Sequence, residues 1–179
     1  ADIHFPALVH EALNRSGIPA RLLWLEVTES VMIDNTHSAR SSLDQLRRLG
    51  VRIALDDFGT GYSSLSMLQD FPVQRIKIDR AFVDTIAEPG NDRTLVRSII
   101  GLGESMGVDI VAEGVETVLQ LRALRELGCA KAQGFLISHP VPAEAMRSTV
   151  RALEGLSQWP EFNQLMGDSS LEPHPSSDS

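Results

Sequence analysis

Short apolar segments alternate with helical patterns along most of this chain, and no other feature restricts its fold more. Five apolar segments are typical of β-strands, and they begin at residues 22, 51, 74, 108 and 130: "LLWLEVT", "VRIALD", "QRIKID", "VDIVAE" and "AKAQGFLI". The stretches between them have helical patterns, and several end in glycine, as helices commonly do. Strands that are joined by helices pair in parallel. The sequence therefore predicts an α/β fold.

Polar residues near the carboxyl ends of the strands help to distinguish two α/β architectures, a TIM barrel and an open doubly wound sheet. Each predicted strand carries one of them: Glu26, Asp56, Lys77, Glu113 and Gln133. In a TIM barrel these strand ends ring one face, and that face holds the active site. An open doubly wound sheet usually has a glycine-rich first turn, which is absent here. We therefore predict a (β/α)8 barrel with about five of its eight strands, since a complete barrel typically needs about 250 residues.

Charge and cysteine content exclude several classes of function. The 179 residues carry a formal net charge of -8, which argues against general binding to DNA, RNA or an anionic membrane. One small anionic ligand held through metal ions stays compatible with that charge. Cys129 is the only cysteine, so no internal disulfide forms, and we expect the domain to lie in the cytoplasm.

The two ends of the chain predict its organisation. The last stretch, "GDSSLEPHPSSDS", holds one large apolar residue, so we expect disorder from about residue 167. Residues 1–155 then form the folded part, and residues 156–179 form a carboxyl-terminal extension. The chain starts with Ala1 rather than Met, and its pattern starts with a helix, so we expect the missing strands to precede it.

The segment "ALDDFGTGYSSL" places two acids, Asp56 and Asp57, directly after an apolar run. Asp, Gly and Ser also form ordinary turns, so this segment alone leaves a turn and a metal site open. Glu26 is harder to explain as a turn residue because apolar residues flank it. Together with Glu113, these acids offer hard oxygen ligands, which suit Mg²⁺ or Mn²⁺. Adjacent Asp residues could serve two ions, a common arrangement for phosphodiester hydrolysis, with Lys77 orienting a water.

A resemblance to a known family rests on five motifs in a consistent order. "LEVTES", "ALDDFGTGYSSL", "IKID", "VAEGVET" and "AQGF..S.P" resemble the motifs of EAL domains, from the first helix to about Leu153. EAL domains are bacterial phosphodiesterases that hydrolyse cyclic di-GMP to linear pGpG. The resemblance implies a modified TIM barrel with one antiparallel strand. It also implies that residues 1–155 are a partial EAL domain.

The resemblance also implies a role for each charged residue. Glu26 is similar to a direct metal ligand, Asp56 to a ligand shared by two metal ions, and Asp57 to a ligand of the second ion. Lys77 resembles the lysine that contacts the catalytic water. Glu113 resembles a residue near the second ion that has been assigned as a general base. Ca²⁺ is expected to bind and inhibit, because it accepts looser coordination than Mg²⁺.

A second group of residues resembles supporting positions of the family. Glu29 is similar to the acid that anchors the "DFGTGYSSL" loop, a loop linked to metal binding and dimerisation. Glu116 and Gln133 resemble other supporting residues of the site. The loop positions expected to support substrate or metal binding are Phe58, Gly59, Thr60 and Gly61.

The chain departs from the family pattern in two ways that bear on activity. The E-A-L tripeptide, whose Glu is a metal ligand, is absent, and so is the family's Asn ligand. We expect both in a longer parent, together with a sensory or GGDEF-type domain and a possible membrane anchor. We expect the parent to form a homodimer through the loop region, and residues 1–179 alone to be inactive. A receptor that binds cyclic di-GMP without hydrolysing it stays the alternative.

Overall fold

The alternation in the sequence corresponds to four parallel strands with helices between them. The computed structural model describes residues 4–34, 36–59, 68, 71, 73–88, 90, 91 and 93–156. The strands are β1 (Trp24–Thr28), β2 (Arg52–Phe58), β3 (Arg75–Ile78) and β4 (Asp109–Ala112). Thr60, Gly61 and the predicted extension from residue 157 onward lie outside the described residues.

Seven described helices surround these strands. They are α1 (Phe5–Ser16), α2 (Glu29–Asp34), α3 (Thr36–Arg48), α4 (Arg80–Asp84), α5 (Thr94–Met106), α6 (Val118–Glu126) and α7 (Ala143–Leu156), and a 3-10 turn covers Ala20–Leu22. The short helices α2 and α4 were not predicted. None of the described helices combines the length and the apolar character that a membrane span requires.

Helix ends follow the signals in the sequence. Gly17 and Gly107 close α1 and α5 in the left-handed conformation, with φ of 68° and 66°. Thr117 begins α6 with a capping box, in which its side chain accepts from the backbone N–H of Gln120 and the Gln120 side chain accepts in return. These caps fix where α1 and α5 end and where α6 begins.

Strand order decides between the two α/β architectures. The sheet runs β1-β2-β3-β4, and each neighbouring pair is parallel. A doubly wound sheet reverses its strand order at a switch point, whereas barrel strands follow one another in sequence order. The described strands therefore form part of a TIM-barrel-like wall, and the barrel is incomplete, as predicted.

The predicted fifth strand is wrong as an extended element. Of residues 130–137, only Ala132 pairs with the sheet, through one parallel bridge to Ala112. Gly134 begins a turn, and the backbone N–H groups of Ile137 and Ser138 both donate to its carbonyl oxygen. The chain therefore leaves the sheet after Gln133, although its apolar composition suits a strand.

The two faces of the sheet differ in chemistry. Ile53 and Leu55 of β2 and Ile76 and Ile78 of β3 are fully buried, and they join the core formed with the helices. Side chains alternate between faces along a strand, so the residues between them point the other way. Lys77 lies on that opposite face, which holds the polar residues of the site.

Helix α6 offers a matched test of this packing. Leu124 is 1% exposed and Leu119 is 63% exposed on the same helix. We expect Leu124→Ala to lower the free energy of unfolding by about 2–5 kcal/mol, because it leaves a cavity in the core. Leu119→Ala should change it by no more than about 0.5 kcal/mol. Urea unfolding of both variants measures the difference, and equal costs would contradict the packing described for α6.

Candidate metal-binding active site

Lys77 lies at the centre of the polar face. Its Nζ atom is 2.6 Å from Glu113 Oε1, 2.8 Å from Glu26 Oε2 and 2.9 Å from Asp56 Oδ1. Glu26 belongs to β1, Asp56 to β2, and Glu113 directly follows β4. One buried ammonium group on β3 therefore gathers carboxylates from three other segments of the sheet.

The protonation of Lys77 follows from these contacts. Burial alone would lower the pKa of Lys77, but hydrogen bonds with Glu113, Glu26 and Asp56 outweigh it and raise the pKa. The side chain therefore stays positively charged at neutral pH. A buried ammonium without such partners would be costly, so the carboxylates stabilise its position on the strand.

A bulge in β2 brings Asp56 and Asp57 to the same site. Leu55 pairs with Ile76 and Phe58 pairs with Ile78, so two residues of β2 oppose the single residue Lys77. The backbone of Asp57 has φ of 55°, which is unusual for a residue other than glycine. Adjacent acids on a regular strand would point to opposite faces, and the bulge removes that restriction.

Three carboxyl groups converge closely enough to share a metal ion. Asp56, Asp57 and Glu113 each offer an oxygen, and these oxygens lie within 4.8 Å of one another. All the donors are carboxylate oxygens, the ligand type that Mg²⁺ and Mn²⁺ prefer. Glu26 is connected to this group indirectly, because its carboxylate contacts the same Lys77 ammonium. Three of the four predicted metal ligands, Asp56, Asp57 and Glu113, thus lie together, and their donor chemistry fits such ions.

Electrostatic repulsion within the group also favours a cation. Burial raises the pKa of Asp57, and the negative charges of Asp56 and Asp79 raise it further, against the opposing effect of Lys77. Burial likewise raises the pKa of Glu113, although its hydrogen bond with Lys77 opposes the shift. A divalent cation at this position would offset both effects.

Gln133 holds Glu113 from the other side. Its Nε2 donates to Glu113 Oε1 at 2.6 Å. The backbone fixes Gln133, because its N–H donates to the carbonyl of Ala112 and its carbonyl accepts from Val115 N–H. Gln133 is therefore placed to orient one carboxylate of the site.

The start of the loop after β2 is tied to Glu29. This side chain is 3% exposed, and its Oε2 accepts from the Gly59 backbone N–H at 3.4 Å. Phe58, predicted as a supporting residue of the site, instead packs in the hydrophobic core. Thr60 and Gly61 lie outside the described residues, so their predicted roles stay predictions.

Glu116 lies at the rim rather than in the carboxylate group. Its Oε1 lies 2.8 Å from Arg80 Nη2, and Arg80 also pairs with Asp84. Glu116 and Arg80 line a cavity of about 510 Å³, together with Glu113, Gln133 and side chains of α7. Because Glu113 itself lines this cavity, a ligand in the cavity would contact Glu113.

A comparison with known protein families identifies the family of this chain. The family model of the EAL domain matches residues 1–140.

The chain belongs to the EAL domain family. The bifunctional diguanylate cyclase/cyclic di-GMP phosphodiesterase MucR of Pseudomonas aeruginosa is 44% identical over 142 residues, which cover 79% of this chain and 21% of MucR. The chain spans only part of its curated relatives: 24% of a protein of Mycobacterium tuberculosis and 17% of a signaling protein of Caulobacter vibrioides.

Solved EAL structures have the same fold. The EAL domain of Mycobacterium smegmatis DcpA is 40% identical, with a TM-score of 0.77, and the match covers 83% of this chain and 67% of that one. Klebsiella pneumoniae BlrP1, solved with manganese and cyclic di-GMP, is 36% identical, with a TM-score of 0.70 over 75% of this chain and 34% of BlrP1. A BlrP1 complex with calcium and cyclic di-GMP is also similar.

Sequence reasoning missed two residues beside the EAL site. Asp79 lies near enough to Asp57 to raise its pKa, and Asp79 Oδ1 accepts from the Ala81 N–H as the cap of α4. Arg80 follows it and holds Glu116. Both stand directly after the strand motif "IKI", where functional residues of a barrel collect, so their position was a usable signal.

A glycine substitution tests how Gln133 is held. A Cβ on Gly134 would clash with the backbone of Val115, whereas a Cβ on Gly17 would meet nothing within 4 Å. We expect Gly134→Ala to displace Gln133 and to lower the free energy of unfolding by about 2–4 kcal/mol, since clash and backbone strain add. Gly17→Ala should cost only about 1 kcal/mol. Chemical denaturation compares the two, and equal costs would contradict a close approach at Val115.

Proposed function

We propose that this chain is the carboxyl-terminal portion of the catalytic domain of a cyclic di-GMP phosphodiesterase, which forms linear pGpG by a two-metal mechanism. The observation that carries the proposal is the β2 bulge, because it aims Asp56 and Asp57 at the same site as Glu113. If the segment after β2 served only as a turn, three carboxylates would not need to converge there. The cyclic di-GMP complexes of MucR and BlrP1 support the choice of substrate.

Each residue of the group has a task in this proposal. Asp56, Asp57 and Glu113, whose oxygens converge, would hold two Mg²⁺ or Mn²⁺ ions together with Glu26. Such ions neutralise the phosphate and lower the pKa of a bound water. Lys77 would orient that water and stabilise developing negative charge. Glu113, whose pKa burial raises, is the group best placed to accept a proton.

The charge of the chain is consistent with this mechanism. The substrate is an anionic diester, and the site itself is acidic, so binding requires cations between them. Metal ions would supply them at the carboxylates, and Arg80 lies at the rim of the adjoining cavity. Gln133 and Glu29 would hold Glu113 and the loop after β2 in place.

The finer expectations about the parent protein also belong to this proposal. These are the upstream Glu and Asn ligands, a sensory or GGDEF-type domain, and a homodimer formed through the loop after β2. A cytoplasmic location and the inactivity of residues 1–179 alone likewise stay predictions. MucR, named for both cyclase and phosphodiesterase activity, supports the domain pairing.

Substitutions in the carboxylate group test the chemistry in a protein that carries this chain with the rest of an EAL domain. Asp56→Ala, Glu26→Ala and Glu113→Ala should each reduce pGpG formation by at least about a thousandfold, because two-metal catalysis fails without a shared ligand. Glu144→Ala, an exposed acid on α7, serves as the control. Chromatographic detection of pGpG measures the rates. Cyclic di-GMP binding without turnover in the unmutated protein would favour the receptor.

Metal replacement tests the coordination geometry. Ca²⁺ should bind and inhibit, because it accepts longer and more numerous oxygen contacts than the near-octahedral Mg²⁺ site. Titrating Ca²⁺ into the Mg²⁺-supported reaction should therefore lower the rate of pGpG formation. Equal turnover with either ion would contradict this geometric argument.

A further inference from the structure

Lysine is rare in this chain, and one of its two copies lies inside the carboxylate group. Of 16 basic residues, only Lys77 and Lys131 are lysines. Lys77 is 5% exposed, and three carboxylates enclose its ammonium at 2.6–2.9 Å. These three contacts surround the ammonium, so in this arrangement the carboxylates compete with a further water or a phosphate for its N–H groups.

The carboxylates that Lys77 contacts are among those expected to bind metal. Asp56 and Glu113 contact Lys77 and also belong to the converging carboxyl group. A Mg²⁺ ion binds oxygens at about 2.0–2.1 Å, closer than an ammonium does, and it carries twice the charge. The ion and the ammonium would compete for the same carboxylates and would repel each other.

We propose that Lys77 is an internal counter-ion of the carboxylate group, and that metal binding displaces its ammonium from Asp56 and Glu113. The proposal rests on the metal centre described under the proposed function. Through its three contacts, Lys77 acts as a positioning residue that keeps the carboxylates of three segments together. After loading, the released ammonium is free to turn toward the water it is proposed to orient. Its positive charge also lowers the metal affinity of the site.

Metal binding without turnover tests the proposal directly. The binding of Mn²⁺ alone is measured by the electron paramagnetic resonance signal of the free ion, in a protein that carries this chain with the rest of an EAL domain. We expect Lys77→Met to bind Mn²⁺ at least about tenfold more tightly than the unmutated protein, because one nearby positive charge is gone. Lys77→Arg, which keeps the charge, should stay within about threefold of the unmutated protein.

Lys131→Met is the matched control. Lys131 pairs with Asp109 at 2.6 Å, at the opposite end of β4 from Glu113. Its removal should leave Mn²⁺ affinity unchanged within about twofold, since it touches none of the proposed ligands. Equal tightening by both substitutions would indicate a general charge effect and would overturn the specific role of Lys77.

A second measurement needs no loss of the lysine and so stays valid if Lys77→Met does not fold. In protein labelled with ¹⁵N-lysine, the side-chain ammonium signal of Lys77 is assigned by its absence in Lys77→Arg. Mg²⁺ should shift that signal at the concentrations that fill the site and should leave the Lys131 signal in place. An unmoved Lys77 signal under saturating Mg²⁺ would overturn the proposal, as would weaker Mn²⁺ binding by folded Lys77→Met.

The two proposals fail in different ways. If the unmutated protein binds no Mn²⁺, the proposed metal centre is wrong, and the displacement of Lys77 falls with it. If it binds Mn²⁺ and hydrolyses cyclic di-GMP but Lys77 neither moves nor weakens binding, only the counter-ion role is wrong.

Discussion

A buried ammonium group needs opposite charge beside it, and Lys77 meets this need with three carboxylates from three segments of the chain. Glu26, Asp56 and Glu113 would repel one another if the cation were absent. Because all three contact Lys77, the relative positions of the strand ends depend on its positive charge, and its burial depends on their negative charges. Glu113 is held further by Gln133, so the group is fixed from both sides of the β4 end.

This arrangement depends on strand order. Because β1 to β4 lie side by side in sequence order, the carboxyl ends of consecutive strands are neighbours in space. The opposite ends of the strands carry a different set of contacts. There, Arg75 lies 3.8 Å above the ring of Trp24 and pairs with Asp109, which also pairs with Lys131. Acidic residues thus dominate one end of the polar face, and basic residues dominate the other.

The sequence predicted the four described strands well because their apolar runs are short and their boundaries are marked. The fifth failed because composition does not report where a strand leaves its sheet, and Gly134 starts a turn there. Phe58 was predicted at the site through its motif, yet the bulge sends it into the core. Asp79 was missed because a helix cap and a site neighbour look the same in sequence.

The sequence by itself determined the chemistry of this protein: hard oxygen donors and one lysine near the ends of consecutive strands, in an acidic chain with a single cysteine. It could not determine that Asp56 and Asp57 act on one side, since regular strands send adjacent side chains to opposite faces. Only the pairing of β2 with β3 decided that, because the bulge exists in the register between two strands and not in either strand alone. The partners of Lys77 were likewise decided by tertiary structure, since its three carboxylates come from segments far apart in the chain.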